Sequence, residues 1–149
     1  MKRAWFFLKY LIFKPKALLE FQKLIKLSNT PFNEKGEEAL KSFKKIFEHA
    51  YKNSQYYSNK YSQSDIAPED IITKEDICKI PTITKEELRE HLNDILTVPK
   101  DTRYIGVGST GGSTGIPMLY YSDKRLPLEA FAWRYLDWWG LKPWDDGAF

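Results

Sequence analysis

The chain has 149 residues, 42% hydrophobic and 15% aromatic, which is enough apolar surface for one core and too much for a globally disordered chain. Its single cysteine excludes an internal disulfide framework and fits a reducing, cytoplasmic setting. The net charge of +3 conceals a split: residues 1–60 hold 13 Lys or Arg against 5 Glu, and residues 61–149 hold 10 against 15 Asp or Glu. The basic end suits an acidic surface such as a membrane.

Met1 to Phe13 reads as an amphipathic helix. Its longest uncharged run, Ala4 to Leu8, is far short of the ~20 residues a spanning helix needs, and no small-residue cleavage site follows. Two readings stand. The helix packs on its parent domain, or it lies in a membrane interface with Trp5, Phe6 and Tyr10 at headgroup level and Lys2, Arg3, Lys9, Lys14 and Lys16 toward anionic lipid. Pro15 suits the first position of a second helix ending near Leu27, closed by Ser28-Asn29-Thr30-Pro31. Asn33 is a candidate N-cap for a third, from Glu34 to about Lys52. Its apolar stripe is Ala39, Leu40, Phe43, Ile46, Phe47, Ala50 and Tyr51.

His49 and His91 have no ligand set around them and read as solvated. Cys78 reads as a small buried hydrophobe. Two similar stretches, Ile72-Thr73-Lys74-Glu75-Asp76-Ile77 and Ile83-Thr84-Lys85-Glu86-Glu87-Leu88, each read as a helix start. Thr73 and Thr84 are the N-caps, Glu87 and Asp76 the capping-box partners, and Ile72/Ile77 and Ile83/Leu88 the staples. Capping therefore accounts for these carboxylates without a catalytic role.

The segment Gly108-Ser109-Thr110-Gly111-Gly112-Ser113-Thr114-Gly115-Ile116-Pro117 holds four glycines and four hydroxyl residues. It reads as a loop whose backbone N–H groups and hydroxyls form a nest for phosphate oxygens. Arg103-Tyr104-Ile105 before it and Met118-Leu119-Tyr120-Tyr121 after it read as strands. A Walker A loop is excluded, because Ile116 and Pro117 stand where Lys and Ser or Thr are required. The G-x-G-x-x-G spacing of Gly106, Gly108 and Gly111 lacks the helix a dinucleotide site needs. A kinase-type loop wants a Val at position 113 and a following Lys strand, and has neither. A plain surface hairpin is the bland alternative.

Further on, Ser122 or Asp123 is expected to cap a helix with Pro127 in its first turn, Trp139 near its end and Gly140 as its stop. With Phe131, Trp133, Tyr135, Leu136, Trp138 and Trp139 it has little polar face and is expected to be buried. An aromatic box for adenine or an acyl group is the alternative. Trp144 to Phe149 reads as a turn into another strand, so the chain is expected to be the N-terminal part of a longer protein or a truncated reading frame. Sequencing the coding DNA past codon 149 decides between them.

Thr110 with Gly112-Ser113-Thr114-Gly115-Ile116-Pro117 resembles the phosphate loop of adenylate-forming (AMP-binding) enzymes, in the branch of phenylacetate–coenzyme A ligases and capsular polysaccharide biosynthesis proteins. The run from Ile80 to Arg89 and the stretch from Phe47 to Tyr61 are similar to the same branch. Gly111 departs from the Ser of most such enzymes, and Met118 from a frequent Lys. The resemblance implies an α/β fold: N-terminal helices, then a Gly-rich hairpin and a buried helix of an incomplete adenylate-forming large domain. Residues 1–32 would be basic amphipathic helices and residues 33–149 the N-terminal part of the ligase domain. It implies ATP, Mg²⁺ and, as thiol acceptor, coenzyme A, with a small-molecule carboxylate as substrate. Ser109, Thr110, Gly111, Gly112, Ser113, Thr114, Gly115 and Pro117 would bind the nucleotide, and the catalytic residues would lie beyond residue 149. No nucleic-acid partner is expected. The location implied is cytoplasmic, with residues 1–30 as a peripheral membrane contact. Two alternatives are a non-catalytic, membrane-associated module of polysaccharide assembly and an inactive remnant.

Overall fold

A computed structural model describes residues 1–111 and 117–145. In chain order the elements are helices α1 (Lys2–Phe13), α2 (Pro15–Ser28), α3 (Phe32–Asn53), α4 (Gln55–Ser62) and α5 (Lys85–Glu90), strands β1 (Ile105–Ser109) and β2 (Leu119–Asp123), and helix α6 (Leu128–Trp138). Short 3₁₀ turns at Pro68–Asp70 and Glu75–Lys79 lie between α4 and α5. Among the described residues the fold is mixed α/β, mostly helical with one small antiparallel sheet. It forms two compact units, Met1–Lys35 with Arg125–Phe149, and Gly36–Lys124.

The first unit is built from α1, α2 and α6. Pro15 sets the α1–α2 junction. The residue before a proline is driven out of the helical region, and Lys14 has φ −145° and ψ 59°. Ala17, Leu18 and Phe21 form the buried stripe of α2 and meet Phe6, Ala130 and Trp133. Trp133 is 1% exposed. Its ring centroid lies 5.0 Å from Phe6, 4.6 Å from Tyr10 and 5.7 Å from Phe21. Phe6 and Tyr10 are thus turned into the protein, and the interfacial reading keeps only Trp5 of its three aromatic anchors. Lys14 and Glu129 form an ion pair in the same unit.

Helix α6 differs from expectation at its start. Ser122 and Asp123 belong to β2, paired with Gly106 and Ile105, so the strand ladder claims the backbone that a cap would use. Pro127 is the N-cap instead. The C-terminal stop is as expected, with Gly140 at φ 75°, a conformation glycine adopts without steric cost. Only Ala130 and Trp133 of this helix are buried. Phe131, Tyr135 and Trp138 are exposed, so α6 buries a stripe, not its whole surface.

The second unit centres on Phe47, Tyr61 and Ile71, with Leu40, Phe43, Tyr51 and Ile77 packed against them. Ala39 and Ile46 turn outward from the expected stripe. Helix α3 starts at Phe32, so Asn33 lies inside it and is not its cap. Ser54 caps α4: its hydroxyl accepts the Tyr57 N–H at 3.4 Å and donates to the Asp94 carbonyl at 2.9 Å. The Tyr56 N–H donates to the same carbonyl at 3.1 Å.

Of the two similar stretches, only the second makes the expected helix start. The Thr84 hydroxyl accepts the Glu87 N–H at 3.1 Å and the Glu87 carboxylate accepts the Thr84 N–H at 2.8 Å, a complete capping box. In the first stretch the Asp76 carboxylate accepts the N–H groups of Ile72 and Thr73 and the Thr73 hydroxyl. That clamp holds a 3₁₀ turn and leaves Ile72 exposed, so its staple does not form. Cys78 sits on this turn and is exposed, against the expectation of burial, because a short 3₁₀ turn offers little inward face.

Candidate functional site

The glycine-bearing segment is an antiparallel hairpin. Ile105 pairs with Asp123, Val107 with Tyr121 and Ser109 with Leu119. The register continues outward, with Lys124 N–H donating to the Tyr104 carbonyl at 2.8 Å and Thr110 N–H donating to the Met118 carbonyl at 2.9 Å. The expected strands at Arg103-Tyr104-Ile105 and Met118 to Tyr121 are therefore shifted: β1 begins at Ile105 and runs on through Gly106, Val107, Gly108 and Ser109. Gly108 and Ser109 belong to a strand and not to the loop.

The reason for that extension lies across the sheet. A Cβ on Gly108 would stand 2.6 Å from Cζ of Tyr120, and one on Gly106 would stand 3.0 Å from Cε of Lys124 and 3.2 Å from the Ser122 hydroxyl. One face of β1 carries no side chains, and the side chains of β2 lie across it. Aromatic cover over a cross-strand glycine offsets the weakness of glycine in a strand. The opposite face is tied down by Tyr121, whose hydroxyl donates to Oδ1 of Asn93 at 2.9 Å. Asn93 precedes Asp94, whose carbonyl holds the start of α4. The hairpin is thus moored to the helical part of its own unit through residues that sequence reasoning missed. Nothing in a local window signals a contact 28 residues apart.

The eight expected nucleotide-binding residues divide. Gly112, Ser113, Thr114 and Gly115 lie outside the described residues. Ser109 ends β1, and Thr110 is the neck of the loop. Thr110 closes that neck twice: its N–H bonds Met118, and its hydroxyl accepts the Met118 N–H at 3.0 Å. That hydroxyl clasps the neck of the hairpin. Strand alternation puts Ser109 and Thr110 on opposite faces. Gly111 and Pro117 flank the loop, both exposed.

Lys124, which with Arg125 follows the hairpin in sequence, reaches forward over Gly106. Gly106 is four residues from Thr110, about 13 Å along a strand, so Lys124 covers the base of the hairpin and not its tip. Among the described residues no group of three or more His, Cys, Asp or Glu is placed to hold a metal ion.

A cleft of about 320 Å³ opens between α4 and α5, lined in part by Asn59, Lys60, Glu87, His91 and Asp94. It shares no residue with the hairpin. Its charges pair with one another: Lys60 with Glu87, and His91 with Asp94 at 3.2 Å. The Lys60 ammonium and the Thr84 N–H lower the Glu87 carboxyl to about 2. Burial raises the Tyr61 phenol to about 12. These are fold-building interactions. His91 also packs on the Tyr56 ring, centroids 4.9 Å apart, and so is less solvated than expected, whereas His49 is exposed.

The fold and site together define a mostly helical α/β chain carrying a glycine-faced antiparallel hairpin that closes on a hydroxyl-rich loop. No protein-family model matches the chain. It is similar to Protein CapK of Staphylococcus aureus, with 31% identity over 123 residues, 83% of this chain and 24% of that protein. The chain thus spans about a quarter of the length of the curated relative it matches.

Proposed function

We propose that this chain is the N-terminal portion of an ATP-dependent, AMP-forming carboxylate-activating ligase acting in capsular polysaccharide biosynthesis. The observation that carries the reading is the hairpin: two antiparallel strands, a neck clasped by Thr110, and between them the Gly/Ser/Thr run that resembles an adenylate-forming phosphate loop. Similarity to Protein CapK supports the capsule setting. In this reaction class a carboxylate displaces pyrophosphate from ATP, and the acyl group then passes to coenzyme A or another acceptor. The loop's part is to hold the departing phosphates. Backbone N–H groups of Gly111, Gly112 and Gly115 and hydroxyls of Ser113 and Thr114 stabilise that charge without moving a proton. Thr110 shapes the neck, and Mg²⁺ would supply further charge neutralisation alongside the nucleotide.

The test uses the longer protein that contains this sequence. Carboxylate-dependent ATP–pyrophosphate exchange is the expected activity, and its absence overturns the reading. Thr114→Val is expected to weaken ATP binding by about 1–3 kcal/mol for a lost phosphate contact, roughly fivefold to 150-fold in Kd. The 149-residue chain alone is expected to show no exchange.

A further inference from the structure

Helix α1 has two apolar faces. With 100° between successive residues, Phe6, Phe7 and Tyr10 share the side packed in the first unit's core. Trp5, Leu8 and Ile12 share another side, each between 59% and 65% exposed, with Leu11 beside them. An ordinary surface helix has only one apolar stripe, so this second stripe calls for a partner.

Charge tells which partner. Residues 1–19 contain five Lys or Arg and no Asp or Glu; Arg3 lies over Phe7 and Trp144 on the packed side and Lys14 pairs with Glu129, whereas Lys9 borders the outward stripe. The Lys9 ammonium sits 5.2 Å from the Trp5 ring centroid, so the edge of the apolar stripe is itself cationic. We infer that the outward face of α1 docks flat on an anionic lipid surface. Leu8 and Ile12 enter the acyl boundary, Trp5 sits at the headgroup level, and Lys9 beside it meets anionic lipid. No helix among the described residues is long and apolar enough to cross a membrane, and α1 at 12 residues is about 18 Å long, suited to lying in the interface. A single short apolar face binds weakly alone and needs the added Coulomb attraction, so binding must fall with added salt. This inference stands apart from the ligase reading.

The test is flotation of the full chain with vesicles of phosphatidylcholine alone, or with about one-third phosphatidylglycerol, where anionic lipid should matter. Partition onto the anionic vesicles is expected to exceed that onto the neutral ones at least about tenfold. Leu8→Asp with Ile12→Asp should reduce it at least about tenfold. Both positions are exposed, so the variant should fold, with circular dichroism as the check. Ile72→Asp, equally exposed in the second unit, should bind like the parent. The inference is overturned by no binding of the parent chain, by equal binding to neutral vesicles, or by binding that the double variant leaves intact. It is also overturned by a dimer in sedimentation that the double variant abolishes, since that assigns the face to a second copy of the chain.

Discussion

Glu87 holds two groups at once, the Thr84 backbone and the Lys60 ammonium. Its carboxylate accepts from the Thr84 backbone, completes a capping box, and pairs with Lys60 of another helix. Its folded-state value of about 2 lies below the ordinary 4.5, so the charged form is favoured by folding. The stabilisation is fully present above about pH 4.5 and is lost as pH falls toward 2. Asp76 shifts the same way, under the Lys79 ammonium first and the Thr73 donors next. Glu87→Gln keeps a cap acceptor but removes the charge. The acid limb of stability between pH 4.5 and 2 is therefore expected to become shallower in urea unfolding at several pH values. An unchanged slope would show that the ion pair contributes nothing. Residues of this kind are legible locally: Thr84 and Glu87 stand three apart, and the capping box forms as expected. Cys78 and Asn33 show the opposite case, since exposure and helix start depend on neighbours no short window contains.

The hairpin shows where element-level reading stops. Glycine lowers strand propensity, so a run with four glycines reads as loop from its first one. Cross-strand cover by Tyr120 outweighs that propensity and keeps Gly106 to Ser109 in the strand, and the cover is visible only once the register is known. The same ladder displaces the start of α6 from Ser122 or Asp123 to Leu128. By contrast, α2 is legible from Pro15 onward and α6 is legible at its Gly140 end, because proline and positive-φ glycine act through the backbone itself. Of the candidate site, the strand signals on either side of the loop are readable, but the clasp role of Thr110 and the Asn93–Tyr121 mooring are not. Tyr120→Ala removes the cover from Gly108. It is expected to cost the hairpin about 0.2–1 kcal/mol, read as faster hydrogen exchange at the Thr110 and Lys124 amides. Unchanged protection there sinks the idea that the tyrosine ring supports the glycine face.

Each of the two units has its own core, and each core has one dominant residue. Trp133→Ala removes the ring that Phe6, Tyr10 and Phe21 surround, for an expected cost of about 3–5 kcal/mol. Ile71→Ala, at a position 0% exposed, is expected to cost about 2–5 kcal/mol. Hydrogen exchange should localise the damage, with Trp133→Ala deprotecting residues 1–35 and 125–145 and Ile71→Ala deprotecting residues 36–124. Uniform loss of protection from either substitution would contradict two separate cores. The first unit joins sequence from positions far apart, and that has a consequence during synthesis. Helices α1 and α2 leave the ribosome about 100 residues before Trp133, a delay of about 5–20 s at ordinary elongation rates. For that interval Phe6, Leu18 and Phe21 have no Trp133 to close on. A nascent chain stalled before residue 128 is therefore expected to offer these side chains to a chaperone, and one stalled well past residue 145 to have withdrawn them.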